Sequence, residues 1–345
     1  MLENVLKLTE RLCELDGVSG TEKPVAEFIR AHAERHADQV RTDVLGNIIA
    51  VKKGARKPSK SLLLSAHMDE VGLIITNITE DGYLRFGEVG GIDRRVLMGK
   101  TVYVGPNRVF GVIGSRAVHL MSGEEREKIP PTREMYIDIG AKSKEEAEKL
   151  VSLADTAVFG GEPAYLSGKL LKARALDDRL GCAVLMTLME KDLPVDCTFV
   201  FTVQEEVGNR GAFGASFSVA PDIALIVETA TCADLPSVAE HQRVTRLGRG
   251  VVIPFMDRGT VYSRELYGLL TGLAEKNGIP WQTKTSVAGG TDAAAVQRAR
   301  GGVLTAAVAA PVRNLHSPAP VASVEDIENL YKLCALFLEE IGERY

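Results

Sequence analysis

Side chains able to bind a cation or carry a proton recur at separated points of this sequence: His67 with Asp69 two residues on, Asp177 in RALDDR, the pair Glu205-Glu206, Glu228, and His316. Apolar runs come just before four of these points. SLLLSA leads into His67, TFVFTVQ into Glu205-Glu206, IALIV into Glu228, and VLTAAVAA lies shortly before His316. Imidazole and carboxylate without thiolate suit zinc, cobalt or manganese. Five such ligands exceed what one four-coordinate ion with an open position can use, so two ions sharing a carboxylate fit better. Two metals about 3.5 to 4 Å apart polarise a carbonyl and lower the pKa of a shared water to about 7, which is chemistry for breaking amide bonds. His67 and Asp69 would point to one side of an extended strand, where Asp69 can fix the tautomer of the imidazole. Glu205 and Glu206 cannot both aim the same way from a regular strand; one can bind metal while the other takes a proton.

Residues so far apart need a scaffold that gathers them. Ligands of open α/β sheets bind at the carboxyl ends of the strands, and apolar runs such as 61–66 resemble strands buried on both faces. Helical periodicity is predicted at Leu2 to Leu12, Glu22 to His36, Asp178 to Met189, Ser263 to Asn277 and after Ser323, with strands at 197–203, 223–227 and 303–309. Ser19 and Glu22 have capping-box spacing. In the last helix Ile327, Leu330, Tyr331, Cys334, Phe337, Leu338 and Ile341 form one core-facing stripe. Between about Val71 and Gly168 the rhythm changes to short β-like runs broken by Gly, Pro and Asp. The expected fold is therefore α/β: a mostly parallel sheet sandwiched by helices, formed by residues 1–70 and 169–345, with an inserted all-β domain at 71–168.

Composition narrows the function. A net charge of −5 lacks the basic footprint of a nucleic-acid binder, and no apolar stretch reaches the length of a membrane span. Five dispersed cysteines suggest buried free thiols in a reducing compartment, and the start MLENVLKLTERL lacks a basic segment followed by an apolar run, so a cytoplasmic protein is expected. His32, His36, His119 and His241 are read as surface or satisfied core residues, and the absence of GxGxxG or P-loop spacing excludes a nucleotide site. The glycines of GGTDA (289–293) could merely make a turn.

The segments SAHMDEVG (65–72), YIDIGA (136–141), RALDDRLGC (174–182), TVQEEVGNRGA (202–212), GGTDAA (289–294) and LHSP (315–318) together resemble the dinuclear metallo-aminopeptidases of the glutamyl aminopeptidase and TET type. The resemblance covers nearly the whole chain and implies a zinc-peptidase-like catalytic domain with two divalent ions, zinc the first choice and cobalt or manganese the alternatives. It makes Asp177 the bridging ligand, His67 and Glu228 the other ligands of one ion, Glu206 and His316 those of the second, and Glu205 the general base. It also implies a cis peptide bond between Asp177 and Asp178, a dimerisation role for the inserted β domain, assembly of dimers into a homo-oligomeric dodecamer, and short peptides as substrates. Two departures stand out: many relatives carry aspartate at Glu228, and PVRNLHSP lacks a tyrosine often found before the histidine. A carboxypeptidase or N-acyl amino acid deacylase on the same core would need a cation for the substrate carboxylate, for which Arg179, Arg210 and Arg313 are candidates. A glycosidase would leave His67 and His316 unemployed, and a non-catalytic scaffold would not be expected to keep all six competent residues.

Overall fold

The computed structural model describes residues 1–287 and 289–345. Its central layer is a sheet of eleven strands among the described residues. Strands β1 (Gln39–Thr42), β2 (Ile48–Lys52) and β3 (Leu62–His67) enter it first. The chain then leaves to build a closed barrel from β4 (Gly72–Ile78), β5 (Leu84–Val89), β6 (Thr101–Val104), β7 (Val109–Gly114), β8 (Tyr136–Asp138) and β9 (Thr156–Phe159). It returns through β10 (Ala164–Leu166), β11 (Leu170–Lys172), β12 (Cys197–Thr202), β13 (Ile223–Thr231), β14 (Val251–Val252), β15 (Trp281–Gln282), β16 (Leu304–Arg313) and β17 (Val321–Ser323).

The spatial order is β1-β2-β12-β3-β13-β16-β17-β11-β10, with β14 and β15 attached beside β16. Parallel pairing in this path is confined to the centre, β12-β3-β13-β16. The sheet is therefore mixed, not mostly parallel. Its flanking strands pair antiparallel, as in the β1-β2 and β10-β11 hairpins, because short connections cannot carry the chain back across the sheet for a parallel partner.

Both faces of the centre are covered, which is why its strands are nearly continuous in apolar residues. Leu62, Leu64 and Ala66 of β3 point into a core shared with α1 (Leu2–Glu14), α2 (Lys23–His36), α5 (Leu176–Met189), α7 (Arg264–Lys276) and α9 (Val324–Arg344). Leu63 faces the other way, toward α6 (Arg210–Val219) and α8 (Ala293–Gln297). The stripe expected in the last helix is buried along α9. The barrel, which also carries the one-turn helices α3 (Gly123–Arg126) and α4 (Lys144–Ala147), has a core of its own built on Leu73, Ile75, Phe86, Val102, Ile113 and Ile137. All five cysteines are buried free thiols, and no helix among the described residues is long and apolar enough to cross a membrane.

The capping box expected at Ser19 does not form. Glu22 occupies the N-cap of α2 without a side-chain cap bond, and the Ser19 hydroxyl donates instead to Asp69 Oδ2 at 2.6 Å. A tertiary acceptor outcompetes the local one.

Candidate active site

Register brings the dispersed residues together. Thr202 of β12 pairs with His67 of β3, and β3 meets β13 with Ser65 opposite Ile226, so two residues further on Glu228 stands level with His67. Glu205 and Glu206 follow the end of β12, and His316 follows the end of β16, at the same carboxyl edge of the sheet. Asp177 arrives from the sheet's helical face at the start of α5. Regular helix begins only after Asp178, because Asp177 (φ −84°, ψ 108°) and Asp178 (φ −118°, ψ 43°) depart from helical angles, and the bond between them is cis as expected. Ala175, Gln204, Asn209 and His316 have positive φ, a left-handed conformation that costs a non-glycine residue roughly 1 to 2 kcal/mol. The strain is spread over the connections that aim the site.

Asp177 lies between the two histidines. Its Oδ1 is 3.3 Å from His67 Nε2 and its Oδ2 is 3.3 Å from His316 Nε2. Glu228 Oε2 approaches His67 Nε2 at 3.8 Å, while Glu206 Oε1 approaches His316 Nε2 at 3.2 Å. Each histidine is steadied from its far side: His67 Nδ1 lies 3.4 Å from Asp69 Oδ1, and His316 Nδ1 lies 2.8 Å from the carbonyl of Gly91, contributed by the barrel domain. Asp69 also accepts from the backbone N–H groups of Glu205 and Glu206, at 3.0 and 3.2 Å, which ties the two acidic residues to the histidine strand. These directions come from turns beyond the strands, since β3 ends at His67 and β12 at Thr202. The alternation expected of an extended strand is not what separates Glu205 from Glu206.

Three contributors escaped the sequence reading. Asn209 donates to Glu205 Oε1 at 3.0 Å and to Asp292 Oδ1 at 3.2 Å, and Asp292 accepts a further bond from Thr202. Thr229 donates to Asp177 Oδ1 at 2.7 Å. Asp292 lies in GGTDA, where a fully buried aspartate contradicts a simple turn; Asn209 and Thr229 carry no local signal. Gly181 is required by contact: a Cβ there would come within 2.7 Å of the Asp178 carboxylate and the Val227 carbonyl. It lets α5 press Asp177 against β13.

The side chains of the cleft are electrically out of balance. Asp69, Asp177, Asp178, Glu205, Glu206, Glu228 and Asp292 are buried or half-buried around two imidazoles. Burial pushes Glu228 well above the usual carboxylate range, and repulsion from Asp178, Asp177 and Asp292 adds to it while His67 opposes. Burial likewise drives Glu205 well up, with Glu228, Asp292 and Glu206 adding and His67 opposing. Burial alone would lower His67, but Glu228, Asp177, Asp69 and Glu205 outweigh it and hold the ring well above its ordinary value. His316, where burial is also overcome by Asp177 and Glu206, rises to about 11. Glu228 Oε1 is buried without a hydrogen-bond partner. Excess buried carboxylate with an orphaned oxygen fits divalent cations. Ligand atoms of His67, Asp178 and Glu228, and of His67, Asp177 and Glu206, lie close enough to hold one, within 4.8 Å of one another.

Val71 and Phe159, from the chain around the barrel, line a narrow cleft shared with Asp177, Glu206 and His316. Two of the arginines considered for a substrate carboxylate are committed elsewhere, Arg179 to Glu70 and the Leu12 carbonyl, Arg313 to Asp234.

Residues 46–333 match the M42 glutamyl aminopeptidase family. The lysyl aminopeptidase of Pyrococcus furiosus is 32% identical over 97% of both chains. An aminopeptidase structure from the archaeon Desulfurococcus kamchatkensis superposes with a TM-score of 0.93 at 35% identity, covering 98% of this chain and 95% of that one. The TET1 peptidase of Pyrococcus horikoshii, described as assembling into a tetrahedron or a large octahedral shell, gives 0.85 at 37% identity over 97% and 99%. Together with the cleft these matches make the chain a member of the M42 glutamyl aminopeptidase family of peptide hydrolases.

Proposed function

We propose that the protein removes the amino-terminal residue from short peptides, using two divalent ions held by five side chains. Asp177 is read as the ligand shared by both, His67 and Glu228 as completing one set, and Glu206 and His316 as completing the other. The observation that carries this reading is the placing of the two Asp177 oxygens, each 3.3 Å from a different histidine nitrogen. When bound, the ions, zinc before cobalt or manganese, supply the charge that polarises the scissile carbonyl and acidifies the attacking water. Asp178 is given no ion in this reading; its Oδ1 accepts the Gly181 N–H at 3.0 Å and so starts the helix.

Glu205 accepts the proton of the attacking water and returns it to the leaving amine. Its carboxylate is held for that task by Asn209, and Asp69 keeps the His67 ring in one orientation. Glu228 in place of the commoner aspartate keeps the charge while moving the ligating oxygens by one methylene, which tunes ion preference. The core made by residues 1–70 and 169–345 is read as a zinc-peptidase-like catalytic domain and residues 71–168 as the dimerisation domain, except that β10 (Ala164–Leu166) pairs into the central sheet. Dimers would assemble into a dodecameric shell in the cytoplasm and so restrict entry to short, unfolded peptides.

The test is turnover of a panel of aminoacyl chromogenic amides, with added zinc, cobalt or manganese, by the unaltered protein and Glu205→Gln. The variant is expected to keep its metals and lose at least about two orders of magnitude in kcat, the scale of a general base. Near-normal turnover in Glu205→Gln would end the role given to it.

A further inference from the structure

A second set of metal-ligating side chains converges far from the cleft. His32 and His36 are one turn apart on α2, on the same face of the helix, with ring centroids 4.7 Å apart. Glu190, the residue after the end of α5, brings its Oε1 to 3.5 Å from His32 Nε2. One ligand atom from each of the three lies within 4.8 Å of the others. From α1, Asn4 Nδ2 donates to the second oxygen of the same carboxylate, Oε2, at 3.0 Å. His32 is buried, whereas His36 and Glu190 are half-buried and leave a path for an ion from solvent.

Two imidazoles at this spacing with one carboxylate form a donor set for zinc and its first-row neighbours, and leave a fourth position for water. Bonds of about 2.0 to 2.2 Å in tetrahedral geometry set donor atoms about 3.4 Å apart. The His32 to Glu190 separation already has that value, and His36, in the last turn of α2, closes the set by a side-chain rotation. Burial holds the His32 pKa below its ordinary value, against the Met186 carbonyl, so the neutral ring that a metal needs is the dominant form at pH 7. The competing description is a satisfied core histidine whose Nε2 donates to the Met186 carbonyl at 3.2 Å.

We propose that His32, His36 and Glu190 bind one transition-metal ion, zinc the first candidate, with Asn4 orienting the carboxylate, and that this ion fastens α1, α2 and α5 together. The site lies roughly 20 Å along α5 from Asp177, at 1.5 Å per residue, and is independent of the ions proposed for catalysis.

The experiment compares the full chain, His36→Gln and Asn4→Ala by zinc content after equilibrium dialysis, by cobalt(II) absorption and by melting with and without zinc. His36 is half-buried and Gln keeps much of its volume, so folding without metal should be unchanged. The unaltered chain is expected to bind one zinc per chain more than His36→Gln and to show a tetrahedral cobalt band that His36→Gln lacks. Asn4→Ala should bind the same number about tenfold more weakly, as for loss of a group that orients a ligand. Removing Asp177 by Asp177→Asn should leave this band in place. Equal zinc content and equal cobalt spectra in the unaltered chain and His36→Gln would overturn the site and leave His32 as a satisfied core residue.

Discussion

Two buried charged clusters lie side by side behind β3, and they are composed on opposite principles. Around Glu70 the charges cancel: its carboxylate takes Arg174 at 2.6 Å, Arg179 at 3.3 Å and the Gly17 N–H at 3.1 Å. The arginines spend further donors on Asp16 and on the carbonyls of Leu12, Glu14 and Leu15, with Arg179 Nε left without a partner. This is a clamp between the end of α1 and the His67-Met68-Asp69-Glu70 segment. In the cleft, by contrast, seven carboxylates meet two imidazoles, and Glu228 keeps an orphaned oxygen. A balanced, buried cluster holds the fold together, whereas an unbalanced one at the edge of a cleft is a place for cations.

The comparison can be broken by removing one carboxylate from each cluster. Glu70→Ala leaves Arg179 buried without a carboxylate and Arg174 with Asp16 alone, and should cost about 3 to 5 kcal/mol of stability. Urea denaturation with and without metal would read it, and a loss below about 1 kcal/mol would mean that the clamp is not what positions the segment. Glu228→Gln should behave differently. In chelated protein it relieves repulsion in an acid-rich pocket and should leave stability within about 1 kcal/mol of the unaltered chain, or raise it. With zinc added, the same variant should lose most of the metal-dependent rise in Tm, because ions that bind only the folded state stabilise it by mass action. A large loss in the chelated state would place Glu228 with the structural charges.

How much of this was legible follows the same division. The cleft could be read from sequence because each strand announces its end: an apolar run stops at a residue that no buried strand would carry without a function. His67, Glu206, Glu228 and His316 were visible in that way, and the structure brings them together with Asp177. The clamp was not legible. Glu70 and Arg174 look like ordinary surface charges in local sequence, Arg179 was weighed only as a cation for a substrate carboxylate, and only tertiary packing buries the three together. Asn209 and Thr229 were missed for a similar reason, since a polar residue in a turn or strand end has no pattern until its partner is in place. The flanks of the sheet were misjudged because strands of two or three residues, such as β14 and β17, are too short to show a period. His32 and His36 were read as surface or satisfied core residues from residue type, and nothing in local sequence brings Glu190, just past the end of another helix, beside them.

A third charged pair calibrates the clamp against a more exposed position. Asp234 takes Arg313 through two bonds of 2.6 Å. Burial raises the Asp234 carboxyl, but Arg313 and then Cys232 outweigh it and bring the pKa down from 3.8 to about 2. A depressed carboxylate favours the folded state above its unfolded pKa, and that favour is lost as the pH falls through the folded value. The difference, discounted for partial exposure, amounts to about 1 kcal/mol at pH 7, lost progressively between about pH 5 and pH 1. Asp234→Asn should therefore lower stability at pH 7 and match the unaltered chain near pH 1; equal loss at both pH values would show that packing, not charge, is at work.

The smallest expected effect sharpens the cleft side of the comparison. Asn209 holds no ion and touches neither histidine, yet its side-chain amide joins the Glu205 carboxylate to the buried Asp292. It is a neutral donor among acids, able to bind two carboxylate oxygens that would otherwise repel. Asn209→Ala removes the bond that aims Glu205 and should lower kcat by about tenfold, the energy of one hydrogen bond to a charged group, with little change in KM because no contact to substrate is lost. Asn209→Asp adds another negative charge beside the two and should be worse than alanine, while metal content stays the same in both. If alanine raised KM with kcat unchanged, Asn209 would belong to substrate binding, and the aim of Glu205 would have to come from the backbone bonds to Asp69 alone.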